Sequence, residues 1–206
     1  MAQPTPVDRC RGWDSAGCEG TPLCPPRCPR FVDGSGAPLL CLPFADASTD
    51  RKALLALYDS TDARGSLSYP PYATHRAIAS WLDGLLARGW NVVAFDGTRP
   101  VGHAVLTPSD AAEPEFGVYV DPAYRGRGLA SELLRHCIAH AIAEGYRGVV
   151  MVVERENEAM QAIARNHGFE VVESSERDTW IGFVSFRLSF DPSRAPHDGG
   201  LVSLPV

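Results

Sequence analysis

Lysine is nearly absent from this 206-residue chain: Lys52 stands alone beside 18 arginines. Twenty-five acidic residues bring the formal charge to −6, which argues against general nucleic-acid binding, since that needs a basic face. The balance suits a cationic amine better. Long apolar runs are also missing. No stretch approaches the about twenty apolar residues of a membrane span, and residues 1–8 lack the apolar core of a signal peptide. A cytoplasmic protein with no membrane partner is therefore expected. No internal repeat is visible. Cysteine is sparse and lopsided, with four of the six (Cys10, Cys18, Cys24, Cys28) inside nineteen residues.

What is present is enough for a core. Hydrophobic residues make up 45% and charged residues 21%, which fits one ordinary domain with an appendage. Residues 1–35 are rich in Cys and Pro without helical or strand periodicity. Four thiolates suit tetrahedral Zn²⁺, and so small a segment needs a staple. The spacing departs from a standard finger, because only Cys24 and Cys28 form a close pair. Free, partly buried thiols are the alternative, with an iron–sulfur cluster or disulfides behind. Residues 36–190 form the expected domain and 191–206 a loose tail.

Within the domain, residues 38–44 read as a strand. A helix follows, capped by Ser48 or Thr49, with Leu54, Leu55 and Tyr58 inside. Residues 59–73 form a turn-rich loop with Tyr69 and Tyr72. Thr74 caps a second helix whose apolar stripe at 78, 81, 82, 85 and 86 ends at Gly89. Strands 90–95 and 101–106 are joined at Asp96-Gly97, a hairpin signal.

Residues 115–131 are the most informative stretch. Phe116 to Val120 is an apolar strand stopped by Asp121-Pro122. Two glycines then open a helix with apolar positions 129, 133, 134, 137, 138, 141 and 142, closed at Gly145. A strand feeding a glycine-rich turn and a helix start aims unpaired backbone N–H groups at an anion such as a pyrophosphate. The segment Arg125-Gly126-Arg127-Gly128-Leu129-Ala130 matches the (Gln/Arg)-x-x-Gly-x-(Gly/Ala) signature of GNAT-type N-acetyltransferases. A second segment, Asn157 followed by a short helix ending in Gly168-Phe169, resembles the family's next motif, with strand 148–153 between them. The resemblance implies an α/β GNAT acyl-CoA-binding fold: a mixed, mostly antiparallel sheet of six to seven strands flanked by about four helices.

It also implies acetyl-CoA as cosubstrate. The amides of Arg125, Gly126, Arg127, Gly128, Leu129, Ala130 and Ser131 would hold its pyrophosphate. The backbone of Val118, Tyr119 and Val120 would pair with the pantetheine arm, and Asn157 and Met160 would contact the arm from the other side. The wall formed by the first helix, loop and second helix makes Tyr58, Asp59, Tyr69 and Tyr72 candidates for acceptor contact.

An alkyl amine with pKa near 10.4 is neutral in only about one molecule in 10³ at pH 7, so amine acetylation calls for a base or a desolvating site. Glu115, at the head of the strand, resembles the acidic residue many family members use to take the amine proton. His103 is the reserve candidate, and Cys137, on the buried helix face, is expected to be core. One departure stands out: Ala164 occupies the position, seven after Asn157, where many relatives carry a Tyr general acid. The expectation is direct acetyl transfer to a primary amine, with a protein lysine or N-terminus ranked ahead of a small-molecule amine. A non-catalytic acyl-CoA sensor is the alternative. Residues 115–169 also resemble bacterial and archaeal protein-lysine acetyltransferases.

Overall fold

The computed structural model describes residues 28–44, 48–59, 74–109, 113–172 and 182–190. Eight strands form one sheet in the order β1-β2-β3-β4-β5-β6-β8-β7. In chain order these are β1 (Arg30–Val32), β2 (Pro38–Pro43), β3 (Trp90–Asp96), β4 (Arg99–Thr107), β5 (Glu115–Val120), β6 (Gly148–Glu154), β7 (Glu170–Val171) and β8 (Phe183–Ser189). Only β5 and β6 pair in parallel; every other neighbouring pair is antiparallel. The described helices are α1 (Ser48–Tyr58), α2 (His75–Arg88), α3 (Leu129–Ala143) and α4 (Glu158–Asn166), with a short 3-10 turn at Pro122–Tyr124.

The sheet separates two cores. On one face α1 and α2 bury Leu54, Leu57, Tyr58, Ile78 and Leu82 against Leu40, Val93, Phe95 and Tyr119. On the other, α3 lays Leu129, Leu133, Cys137 and Ala141 on Ala94, Ala104, Phe116, Val149 and Met151. Strand alternation produces this split on β5, where Phe116 and Val120 enter one core and Tyr119 the other. Each buried Leu of these faces contributes about 1.5–3 kcal/mol. The helix α3 comes close to the sheet at Gly102, where a Cβ would stand only 3.1 Å from Leu133 Cδ1.

Two expectations need correction. The domain starts before residue 36: Arg30, Phe31 and Val32 pair with Leu40, Leu39 and Pro38, so residues 33–37 are a hairpin turn and not part of an irregular appendage. Three residues are too few to show periodicity, and their strand exists only because β2 supplies the partner. This strand, with the two-residue β7, raises the count from six or seven to eight. Helix α1 begins at Ser48. Thr74 caps α2 as expected, accepting from the Ala77 N–H.

Candidate active site

The parallel strands β5 and β6 meet at one point only, Glu115 opposite Val150, reinforced by the Val150 N–H donating to the Pro114 carbonyl at 3.0 Å. Beyond it they part. Along β4 the register of β5 runs unbroken from Glu115 to Val120, so the opening lies entirely on the β6 side. The result is a groove of about 600 Å³ whose walls are Glu115–Val120 and Met151–Glu154, with Asn157, Met160 and Ile163 beyond. Its far end is Gly126 and Gly128–Ser131, at the start of α3. The structure thus gathers Val118, Tyr119, Val120, Arg125, Gly126, Gly128, Leu129, Ala130, Ser131, Asn157 and Met160 around one groove.

The turn at that end depends on glycine. Gly126 has φ 71° and Gly128 φ 85°, backbone conformations that cost other residues about 1–2 kcal/mol. Gly128 is the N-cap of α3, and no side chain caps that helix. The first intrahelical bond is Glu132 N–H to Gly128 carbonyl, so the amides of Leu129, Ala130 and Ser131 precede the hydrogen-bonded ladder and suit an anion. Arg125 bends back along β5, its Nε donating to the Val120 carbonyl at 3.0 Å with its guanidinium 5.9 Å from the Tyr119 ring. Arg127 does not line the groove. Its guanidinium lies between the Tyr124 ring, at 5.2 Å, and Asp33 with Ser35, each 3.4 Å from Nη1. Asn157 Oδ1 accepts from the Met160 N–H and caps α4, leaving the two amide N–H groups of Asn157 for a ligand.

Glu115 sits at the closed end. It is solvent-accessible, as a base meeting an incoming amine must be, yet enough protein surrounds the carboxyl for burial to raise its pKa. His103 has a different setting. Its Nδ1 lies 2.7 Å from the Tyr58 hydroxyl and its Nε2 3.0 Å from Asn91 Oδ1. The Asn91 amide nitrogen donates to the Gly89 and Leu85 carbonyls, which fixes Oδ1 towards the histidine. Nε2 must then carry the proton and Nδ1 accept from Tyr58. Burial holds this imidazole down to about 3. With both nitrogens engaged and the ring 1% exposed, His103 is a buried neutral network residue with no access to an amine, and the reserve-base reading falls.

Tyr58 is 2% exposed, packed edge-on to Trp81 with ring centroids 5.0 Å apart and 5.2 Å from the Tyr119 ring. That places it in the core, not on an open acceptor wall. Asp59 Oδ2 lies within hydrogen-bond distance of His75 Nδ1, at 2.9 Å. Tyr69 and Tyr72 lie outside the described residues. Cys137 is fully buried, and its thiol is pushed well up by burial, which makes it core as expected. Ala164 is also fully buried within the α3-side core. Glu113 is 8% exposed. Arg187 donates to its Oε1 from Nε at 2.9 Å and Nη2 at 2.6 Å, a pairing 74 positions apart that no local pattern signals. Asp33 is another site-adjacent residue the sequence hides, although its Asp-Gly-Ser-Gly context is a turn signature.

Cys10, Cys18 and Cys24 lie outside the described residues; Cys28 is exposed and free. Among the described residues no group of three or more His, Cys, Asp or Glu could hold a metal. No helix among them is long and apolar enough to cross a membrane.

Known proteins share this fold. The crystal structure of the GNAT domain of S. lividans PAT has a TM-score of 0.64 at 21% identity, covering 78% of this chain and 96% of that one, which is agreement in fold. The chain is 28% identical over 126 residues to an L-methionine sulfoximine/L-methionine sulfone acetyltransferase of Pseudomonas paraeruginosa, covering 49% of this chain and 73% of that protein. It is 34% identical over 114 residues to the N-alpha-acetyltransferase RimI of Mycobacterium tuberculosis, covering 52% and 65% respectively. Fold, groove and relatives together define an acetyl-CoA-dependent N-acetyltransferase. Residues 54–169 match the model of the Acetyltransferase (GNAT) family, more than half the chain, and the chain belongs to that family.

Proposed function

We propose that this enzyme acetylates a primary amine by direct attack within a ternary complex, with Glu115 as base. The carrying observation is the place of Glu115: the one pairing point of β5 and β6, where the groove closes. Acetyl-CoA lies with its pyrophosphate on the amides of residues 126–131, since the Arg125 N–H already donates to the Pro122 carbonyl at 3.3 Å, and with its pantetheine arm along Val118–Val120 as an added strand. Asn157 and Met160 form the opposite wall. The amine nitrogen attacks the thioester carbonyl carbon, its proton passes to Glu115 directly or through water, and the carbon–sulfur bond breaks. With Ala164 where a Tyr acid would stand, the thiolate takes its proton from water; a thiol pKa near 8.5 makes that a modest demand.

We favour a protein N-terminus or lysine as acceptor. The RimI similarity supports this, as does the groove wall beside Glu115, where Val152 is 50% exposed. The similarity to the methionine sulfoximine enzyme supports a second reading, a small amine. Cys10, Cys18, Cys24 and Cys28 we assign to a structural zinc; the four-thiolate set supports it, and the exposed Cys28 is available to a metal.

Calorimetric titration of acetyl-CoA, followed by thiol release against lysine peptides, N-terminal peptides, polyamines and amino acids, tests the function. Glu115→Gln should reduce turnover far more at pH 7 than at pH 9.5, where about one amine in ten is already neutral. An equal loss at both pH values assigns Glu115 a structural role. Tight binding without turnover on any acceptor, in parent and variant alike, makes the chain an acyl-CoA sensor.

A further inference from the structure

We infer that Asp33, in the turn joining β1 to β2, is a positioning residue for the coenzyme's pyrophosphate, acting through Arg127 on the Arg125–Gly128 turn. The inference rests on the groove being the acetyl-CoA site. The two carboxylate oxygens of Asp33 divide their work. Oδ1 accepts from the Ser35 N–H at 2.8 Å, the Ser35 hydroxyl at 2.6 Å and the Ala37 N–H at 2.9 Å, which shapes its own turn. Oδ2 faces Arg127 Nη1 at 3.4 Å. Asp33 is 4% exposed, and these donors hold its carboxyl down at about 2, so it is ionised throughout the working range.

The turn is also held by its backbone. Gly34 N–H donates to the Arg127 carbonyl at 2.9 Å. In a trans peptide the carbonyl and the next N–H point in opposite directions. Anchoring the Arg127 carbonyl from the hairpin side therefore turns the Gly128 N–H away from the hairpin, whose residues do not line the groove. Phe31 packs beneath, its Cζ 3.6 Å from where a Gly128 Cβ would stand. From the other side the Tyr124 ring meets the Arg127 guanidinium, and the Tyr124 hydroxyl donates to Asp96 at 2.6 Å. The turn is thus clamped between two hairpins, β1–β2 and β3–β4. Such preorganisation lowers the ordering cost of binding.

Positioning and bare electrostatics predict opposite signs. A carboxylate near a pyrophosphate site repels the ligand, so removing its charge would tighten binding if charge were all that mattered. Asp33→Asn retains an acceptor at the Oδ1 position and presents an amide donor to Arg127, so it spares the hairpin turn and breaks the link. Calorimetry and donor kinetics would compare acetyl-CoA with S-acetylpantetheine, which lacks the pyrophosphate. Asp33→Asn should weaken acetyl-CoA about tenfold, the size of one lost charge-assisted contact. KM for acetyl-CoA should rise by the same factor at unchanged kcat, while S-acetylpantetheine is unaffected. Arg127→Met should show the same selective loss, and the double variant should lose no more than the worse single one. Unchanged or tighter acetyl-CoA binding, an equal loss on both donors, or additive losses in the double variant would overturn the inference. A parent that binds neither donor removes the coenzyme site itself, and the inference with it.

Discussion

Lowering the pH should expose the buried histidine. His103 is held neutral in the fold, down to about 3, by complete burial, whereas an unfolded histidine titrates near 6.5. The folded pKa is depressed, so below about pH 6.5 the unfolded chain binds a proton that the folded chain refuses, and stability falls as pH falls. For this one group the loss is about 1.4 kcal/mol between pH 7.5 and 5.5 and about 2.7 kcal/mol by pH 4.5. His103→Gln removes the titration. It should cost about 1–3 kcal/mol at pH 7.5 through broken buried hydrogen bonds, yet show a pH slope flatter by the amounts above. Urea unfolding of both proteins at the three pH values measures this. His140, whose pKa burial also lowers, contributes equally to both and cancels. Parallel slopes would show that His103 titrates normally in the fold and that the burial reasoning is wrong.

Gly128→Ala places a Cβ at φ 85°, so a stability loss of about 1–2 kcal/mol is expected, with weakened acetyl-CoA binding as the turn relaxes. Gly128→Glu adds a negative charge at the pyrophosphate position and should abolish binding in a protein that still shows cooperative unfolding; unchanged binding would remove the turn from the coenzyme site. Elemental analysis should find about one zinc per chain, lost in Cys24→Ser, and a metal-free, equally stable parent would refute the zinc assignment.

Several parts of this protein were legible because their causes are local. The stripe of α2, the cap at Thr74 and the alternation of Phe116 and Tyr119 follow from chain periodicity. So does the glycine turn, where Gly126 and Gly128 are needed for positive φ. Glu115 was legible as a candidate because it heads the strand before that turn. The β1 strand was not, since three residues carry no period and Arg30–Val32 becomes a strand only against Pro38–Leu40. His103 is the clearest divergence. Sequence allows a histidine on an inner strand to be a base, but the partners that settle its role, Tyr58 and Asn91, arrive from α1 and β3.

By itself, then, the sequence determined the order of the longer elements, the glycine-rich turn and the family resemblance, because hydrophobic period, caps and glycine conformations act over a few residues. Tertiary structure alone decided where β5 and β6 part, since strand pairing belongs to two segments at once. It also decided that Glu113 finds Arg187 and that Asp33 meets Arg127 across 94 positions. Contacts of that reach depend on where the sheet brings its strands and hairpins together, and no local pattern encodes them.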